Sequence, residues 1–318
     1  MTDQHLSGDL TGERKQAVLL TDTDLPGIFR TSDAESLLGQ RRQVRVTATL
    51  LVLTVAAAIS ATITVKVTAH RIDVGGVLAA LAFLLALGCA GYLQRRRPER
   101  SWYGGRAIAE SARTLAWLYA VGGGLFNVSS CNRPEDELVA KFGLIAERFG
   151  LPGLSDQITD NQITENMRAV RSSSLEERRS AYLAGRIEAQ MDWYKRKAAW
   201  NARQENAWRG AILVLLGVGL AAAVARVAGL LTFNLLGLAA VMVAATVAWL
   251  EAKNHGTLAE AYAATEIDLA LAKDRALQIT EGSEDAWSQF VERAEHAISR
   301  EHTLWLARGG ARYPLAAR

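Results

Sequence analysis

The sequence predicts an all-α polytopic membrane protein, with four transmembrane helices in two hairpins and a helical cytoplasmic domain built from long stem helices. Three observations predict it. Apolar residues are bunched into four long runs, basic residues crowd one set of run ends, and the remainder carries helix start and stop signals. The averages alone hide this: 318 residues, 50% hydrophobic, 22% charged, 5 Pro, 2 Cys and a formal charge of +3 describe an ordinary soluble chain while excluding disorder, collagen and a disulfide scaffold.

An α-helix needs ~20 apolar residues to cross the hydrocarbon layer. Val44 to Val67 carries only Arg45 at its mouth and Lys66 at its end, and Val74 to Leu93 carries no charge. Gly210 to Ala225 is shorter, but Trp208, Arg209 and Arg226 flank it as interfacial anchors. Gly229 to Leu250 is free of charge and closes on Trp249. A single such run reads equally well as a buried core helix; four in two close pairs read as spans. The first begins after a polar, acidic segment, so it is not expected to be a cleavable signal.

Lys and Arg resist translocation, so the ends they crowd are expected to stay in the cytoplasm. Arg41, Arg42 and Arg45 precede the first run, Arg95, Arg96, Arg97 and Arg100 follow the second, and Lys195, Arg196, Lys197, Arg203 and Arg209 precede the third. The expected plan is a cytoplasmic entry segment over 1–43, a first hairpin over 44–93, a cytoplasmic helical region over 94–208, a second hairpin over 209–250 and cytoplasmic helices over 251–318. Two short turns are left outside, too little for a receptor of large external ligands. Cys89 falls in a span and Cys131 in the cytoplasm, so no disulfide is expected.

Outside the runs, Ser32 with Glu35 and Ser174 with Glu177 match the S-x-x-E capping box, each opening a helix able to run into a span. From Leu175 only Gly185 interrupts the pattern before Gly210, so stem and third span are predicted as one rod of about 50 residues, about 75 Å long. Gly256 is the comparable weak point after the fourth span, ahead of a helix reaching about Ile279. Shorter helices are predicted over Trp102 to Val121, stopped by Gly122, Gly123 and Gly124, over Pro134 to Phe149, and over Glu284 to Arg308. Leu151 to Ser173 collects Gly, Ser, Asp and Asn and is read as the linker dividing two architecturally similar halves.

Candidate residues fall in two groups. On the first span Thr47, Thr54, Thr62 and Lys66 lie within about 120° of one another at 100° per residue, so they are candidates to line a wet path. Thr hydroxyls equally bond back to their own helix carbonyls. Asn234 reads as an amide deep in the fourth span, suited to an inter-helix bond or a path. In the cytoplasm Arg106, Glu110 and Arg113, spaced i, i+4 and i+7, form a ladder on one helix face. They read either as a surface for a phosphate-bearing ligand or as a packing lattice of ion pairs; Arg186 and Asp192 on the stem join them as candidates for a ligand or gating surface. Tyr182, Ala189, Trp193, Trp200 and Ala207 recur at helical spacing and are expected to pack against the helix after the fourth span. Gly88 and Gly91, Gly217 and Ala221, and Gly237, Ala240, Ala244 and Ala248 give small-residue faces for tight hairpins or oligomers.

Two stretches carry a resemblance. Trp102-Tyr103-Gly104-Gly105-Arg106-Ala107-Ile108-Ala109-Glu110-Ser111, with Thr114-Leu115-Ala116-Trp117 and Tyr119, resembles a motif of the SLATT membrane proteins, named for SMODS- and SLOG-associating two-transmembrane effector domains. Arg179, Tyr182, Arg186-Ile187, Gln190, Asp192-Trp193-Tyr194, Lys197-Ala198 and Asn201 resemble the signature of the family's other hairpin unit. Leu25-Pro26 near the start and Glu301-His302 with Trp305 near the end are also similar, so the likeness spans nearly the whole chain as two tandem domains. Leu118 departs from it, standing where a basic residue is expected before the Tyr. The resemblance implies an effector of bacterial conflict systems that depolarises or damages the inner membrane after a nucleotide signal is sensed. It also implies a nucleotide second messenger or a separate sensor protein as partner.

No G-x-S-x-G, Walker loop, G-x-G-x-x-G, H-E-x-x-H or C-x-x-C is present, and the five His are scattered. No enzyme activity, cofactor, metal site or nucleic-acid partner is expected. The expected function is an oligomeric channel or pore-forming effector in membrane lipid, gated by its cytoplasmic helices; the alternative is a non-conducting scaffold or adaptor.

Overall fold

The computed structural model describes residues 20–62, 66–67, 72–149, 161–231, 233–278 and 283–308. Ten helices carry the fold among them: α1 (Gly27–Ala61), α2 (Val74–Arg96), α3 (Pro98–Val121), α4 (Pro134–Phe149), α5 (Glu165–Ser172), α6 (Leu175–Tyr182), α7 (Ala189–Val227), α8 (Leu235–Lys253), α9 (His255–Leu277) and α10 (Glu284–Arg308). A π-helical segment, Leu183–Glu188, joins α6 to α7 without a break. The one sheet among the described residues is a two-residue antiparallel pair, β1 (Lys66–Val67) and β2 (Ile72–Asp73), in the turn of the first hairpin.

Among the described residues four helices are long and apolar enough to cross a membrane, and their apolar windows are only 6, 17, 11 and 6% buried inside the protein. Side chains this apolar and this uncovered need lipid around them. The protein is therefore a multi-pass, all-α membrane protein. The stem and third span form the expected rod, Leu175–Val227, of 53 residues. The short third run is thus extended by helix at both of its ends.

The chain repeats one plan. A long helix runs into a span, turns, returns as a second span, breaks at one residue and continues as a helix packed back on the first. In the first half α1, α2 and α3 follow this course with Arg97 at the break (φ 43°); in the second, α7, α8 and α9 follow it with Asn254 at the break (φ 50°). Both break residues sit in the left-handed region that L side chains rarely adopt. The break after the fourth span is thus at Asn254, not at Gly256: the left-handed turn ends α8 at Leu250's carbonyl, which accepts the Asn254 amide at 2.8 Å.

Two other expected features differ. Ser32 is no cap, because α1 starts at Gly27 and Ser32 is buried within it. The start is capped across the fold instead: the Gly27 and Ile28 amides donate to the Asn161 carbonyl (3.3 Å) and the Gln162 side chain (3.0 Å). The Ser174–Glu177 box forms as expected, with Glu177 N–H donating to Ser174 Oγ at 3.3 Å and Ser174 N–H to Glu177 Oε2 at 2.9 Å. The segment read as a linker is partly α5, docked by Met167 and Val170 into the core; its residues 151–160 lie outside the described set.

Away from the spans the helices form a head around α3. Its face of Ala109, Ala112, Ala116 and Ala120 lets neighbours approach closely, and Ile108, Trp117, Tyr119 and Val121 fill the gaps. Contact with α1 is closest at two glycines: a Cβ on Gly105 would lie 2.8 Å from the Ser32 carbonyl oxygen and one on Gly39 2.6 Å from the Trp102 nitrogen. The carbonyls at the end of α3 are satisfied by side chains from later helices. Arg171 donates to Tyr119 O at 2.6 Å, and Arg178 and Trp287 donate to Val121 O at 3.0 and 2.9 Å.

Candidate functional site

Between the α1–α3 pair and the α7–α9 pair lies a cavity of about 1490 Å³. Its wall runs from Arg186 in the π segment onto α7, where it extends from Ala189 to Asn201, a rise of about 18 Å. One end is deep in the head, at Trp117, Gly185 and Arg186; the other reaches the level of the spans at Val44 and Glu251 to His255.

Arg106 and Arg113 of the ladder, with Trp102, Tyr103 and Trp117, form the wall contributed by α3. Glu110 Oε1 accepts from Arg106 (2.9 Å) and Arg113 (3.3 Å), and the two guanidiniums reach on to Asp33 (3.2 Å) and Asp22 (3.1 Å). Arg113 also stacks 4.7 Å from the centre of the Phe29 ring. Of the two readings of this ladder, the packing lattice is the one the contacts build, while Arg106 and Arg113 still line the cavity. Burial pushes the Arg106 pKa down, but Glu110 and then Asp33 outweigh it, so the net shift is upward and the charge is held.

Arg186 closes the deep end. Its Nε and Nη2 donate to Glu295 Oε1 and Oε2 at 2.9 and 2.8 Å, a bidentate pair in which both side chains are 1% exposed. Tyr182 OH (3.0 Å) and Thr114 Oγ1 (2.8 Å) donate to the same carboxylate. Burial works against the Arg186 charge, and Glu295 reverses that to leave its pKa raised; burial and then Glu295 hold the Tyr182 hydroxyl well above its usual range. Gly185 in the π segment makes room here, since a Cβ would stand 2.9 Å from the Trp117 ring. Asp192, by contrast, is exposed and does not line the cavity.

The aromatic seam packs on α9 as expected for Trp193 and Trp200. Trp193 meets Tyr262 at 5.4 Å between centroids, and Trp200 meets His255 at the same 5.4 Å separation. Tyr182 points elsewhere, into the core between Trp117 (5.9 Å) and Trp287 (5.8 Å). Facing the seam across the cavity, Trp102 and Tyr103 stack at 4.9 Å.

Sequence reasoning passed over the end nearest the spans. There Asn201 Nδ2 donates to the Lys197 carbonyl (2.8 Å), which turns its Oδ1 toward His255 Nδ1 at 2.7 Å. This arrangement makes Nδ1 the protonated ring nitrogen. Burial, then the Lys253 charge, lower the His255 pKa below its ordinary value, with Glu205 opposing.

Among the path candidates, Thr54 Oγ1 bonds back to the Leu50 and Leu51 carbonyls at 2.9 and 2.8 Å, and Thr62 Oγ1 to the Ile59 carbonyl at 2.7 Å. Thr47 is half-buried on α1. Lys66 lies in β1 opposite Asp73, its side chain outside the described set. Asn234 is not deep in a span: α8 starts at Leu235, and Asn234 caps it, accepting from the Gly237 amide (3.1 Å) and Arg226 (3.2 Å). The correction has a local cause, because Gly229 at φ 74° ends the preceding helical stretch and the chain turns before α8 begins.

Two family models match the chain in tandem. SMODS and SLOG-associating 2TM effector domain 3 matches residues 26–179, and SMODS and SLOG-associating 2TM effector domain 1 matches residues 182–305. They meet in the last turn of α6, ahead of the π segment, so α5 falls with the first unit and the boundary lies later than the Leu151–Ser173 stretch. No curated protein and no solved structure matches. Each matched unit contains one hairpin of the observed repeat, and the chain is a membrane protein of the SLATT family, two such effector domains in succession.

Proposed function

We propose that the chain is an oligomeric channel or pore-forming effector of a bacterial inner membrane, gated by its head. In this reading both termini and the head are cytoplasmic, the spans carry no enzyme activity, and a nucleotide second messenger or a separate sensor protein acts on the head. The observation that carries the proposal is the continuous rod Leu175–Val227, which forms the cavity wall at one end and a span at the other. A shift of that wall reaches the membrane without passing through a loop.

Four spans are too few to wall a wide aqueous route, so conduction requires several copies. In keeping with that, Ala79, Ala82 and Ala86 are consumed in packing within the chain, whereas a Cβ on Gly88 or Gly91 of α2, or on Gly217 of α7, meets nothing within 4 Å. These open faces suit close approach of another copy in lipid. Thr47, Thr54, Thr62 and Lys66 remain the candidates for the path, with Asn234 at the turn where α8 begins.

The test is planar-bilayer recording and dye release from liposomes containing purified protein. Stepwise currents from an oligomer support the proposal, and a silent monomer overturns it. The scaffold reading is favoured by one feature, the exposed Leu125, Val128, Val139 and Leu144 on and before α4. It expects stable capture of a protein partner and unchanged permeability.

A further inference from the structure

Five arginines and lysines line the cavity, and three of them are neutralised. Arg106 and Arg113 share Glu110 and reach Asp33 and Asp22, and Arg186 is matched by Glu295. The other two, Lys197 and Lys253, have no carboxylate within ion-pair distance among the described residues. Both are held on indole faces instead. The Lys197 ammonium lies 5.6 Å from the Trp193 ring centre and 5.9 Å from that of Trp200, and the Lys253 ammonium lies 5.5 Å from that of Trp249. Such faces position a cation without discharging it.

Lys197 lies on α7 and Lys253 ends α8; the Asn201–His255 bond, at 2.7 Å, clasps α7 to the start of α9, two residues past Lys253. Lys253 is half-buried, and no charged neighbour offsets the cost of that burial. Trp208 and Trp249 pair at 6.4 Å just beyond, on the helices that enter the membrane. Two carboxylates stand near this rim, exposed Glu251 and also Glu205, which is paired with Arg209 and acts on His255; Asp268 lies farther along α9. Undischarged cations beside aromatic walls, in a cavity that reaches the level of the spans, are the chemistry of a phosphate site with an apolar or planar neighbour.

We infer that the span-facing end of the cavity binds a phosphate-bearing ligand, its phosphate between Lys197 and Lys253 and its body against Trp193 and Trp200. Two sources share this chemistry, the headgroup of an anionic phospholipid from the adjacent leaflet and a soluble phosphate that carries a planar ring. The inference deepens the gating proposal by naming the ligand class, and it rests on that proposal only for what binding then does.

Binding and conduction are therefore read separately. Full-length protein in phosphatidylcholine nanodiscs is titrated with ADP while indole emission is followed. A second set of nanodiscs is made with rising phosphatidylglycerol, and retained lipid is counted by native mass spectrometry. Lys197→Gln with Lys253→Gln is expected to weaken the responding arm at least tenfold, while Arg41→Gln, which removes one charge from the exposed basic belt, leaves it unchanged. A response in the lipid arm alone assigns the headgroup, and one in the ADP arm alone assigns the soluble ligand. No saturable response in either arm, or an undiminished response in the double variant, overturns the site. A positive result with no current in bilayers retains the site and removes the channel.

Discussion

Arg186 and Glu295 meet edge to edge through two hydrogen bonds, across 109 residues of sequence, in a place where neither is more than 1% exposed. The carboxylate also takes Thr114 from α3 and Tyr182 from α6, so one side chain of α10 ties both repeats together. Removing either charge strands the other in the core. Glu295→Leu or Arg186→Met alone is expected to cost about 3–5 kcal/mol of head stability, and the double variant Arg186→Met, Glu295→Leu to recover most of it. Thermal unfolding of the four proteins of this cycle in detergent measures both numbers.

Glycines of the two kinds separate under substitution. Gly105→Val drives a side chain toward the Ser32 backbone, and about 1–3 kcal/mol of stability is expected to be lost. Gly88→Val and Gly91→Val point into open space, so melting is expected to stay unchanged while native mass spectrometry shows fewer associated copies.

His255 gives the head a pH dependence of definite sign. Its folded pKa is depressed from 6.5 by burial and then by Lys253, against Glu205. The unfolded chain therefore takes up a proton at a pH where the folded chain does not. Its contribution is fully present above the ordinary value and is lost as pH falls through the lower folded one. Melting temperature is expected to fall between about pH 7 and about pH 5, and His255→Gln to flatten the part of that fall due to this ring.

Orientation is open to labelling. In a Cys89→Ser, Cys131→Ser background, Val227→Cys, at a site 91% exposed, is expected to react with an impermeant maleimide from outside intact cells. Ser130→Cys, also exposed, is expected to react only in inverted vesicles. The reverse pattern places the head on the other face of the membrane.

The spans and the rod were legible because lipid imposes a requirement that a sequence states openly, a long uncharged run such as Val74 to Leu93. The Ser174 box was legible for a similar reason, since both partners lie within one turn. Ser32 misled because the true start of α1 is capped by Asn161 and Gln162, more than a hundred residues away. Asn234 misled because the uncharged run from Gly229 reads as one continuous span, although Gly229 and Asn234 are themselves a helix stop and a helix start. Glu295 left a trace that was passed over, a carboxylate set within the apolar stripe of Trp287, Phe290, Val291, Ala294 and Ile298. Lys197 and Lys253 left none, since what marks them is a missing partner, and partners are assigned only once the helices are packed.

The left-handed residues at Arg97 and Asn254 give each hairpin unequal legs. One leg is an unbroken shaft from the head into the bilayer; the other is severed from the head's next helix by a single peptide unit. Under the gating proposal, a torque applied at the head would travel down α1 and α7, and Arg97 and Asn254 are the two residues about which α2 and α8 would turn against it. Rearrangement within the lipid would then be a pivot of a driven leg around its companion, once in each hairpin.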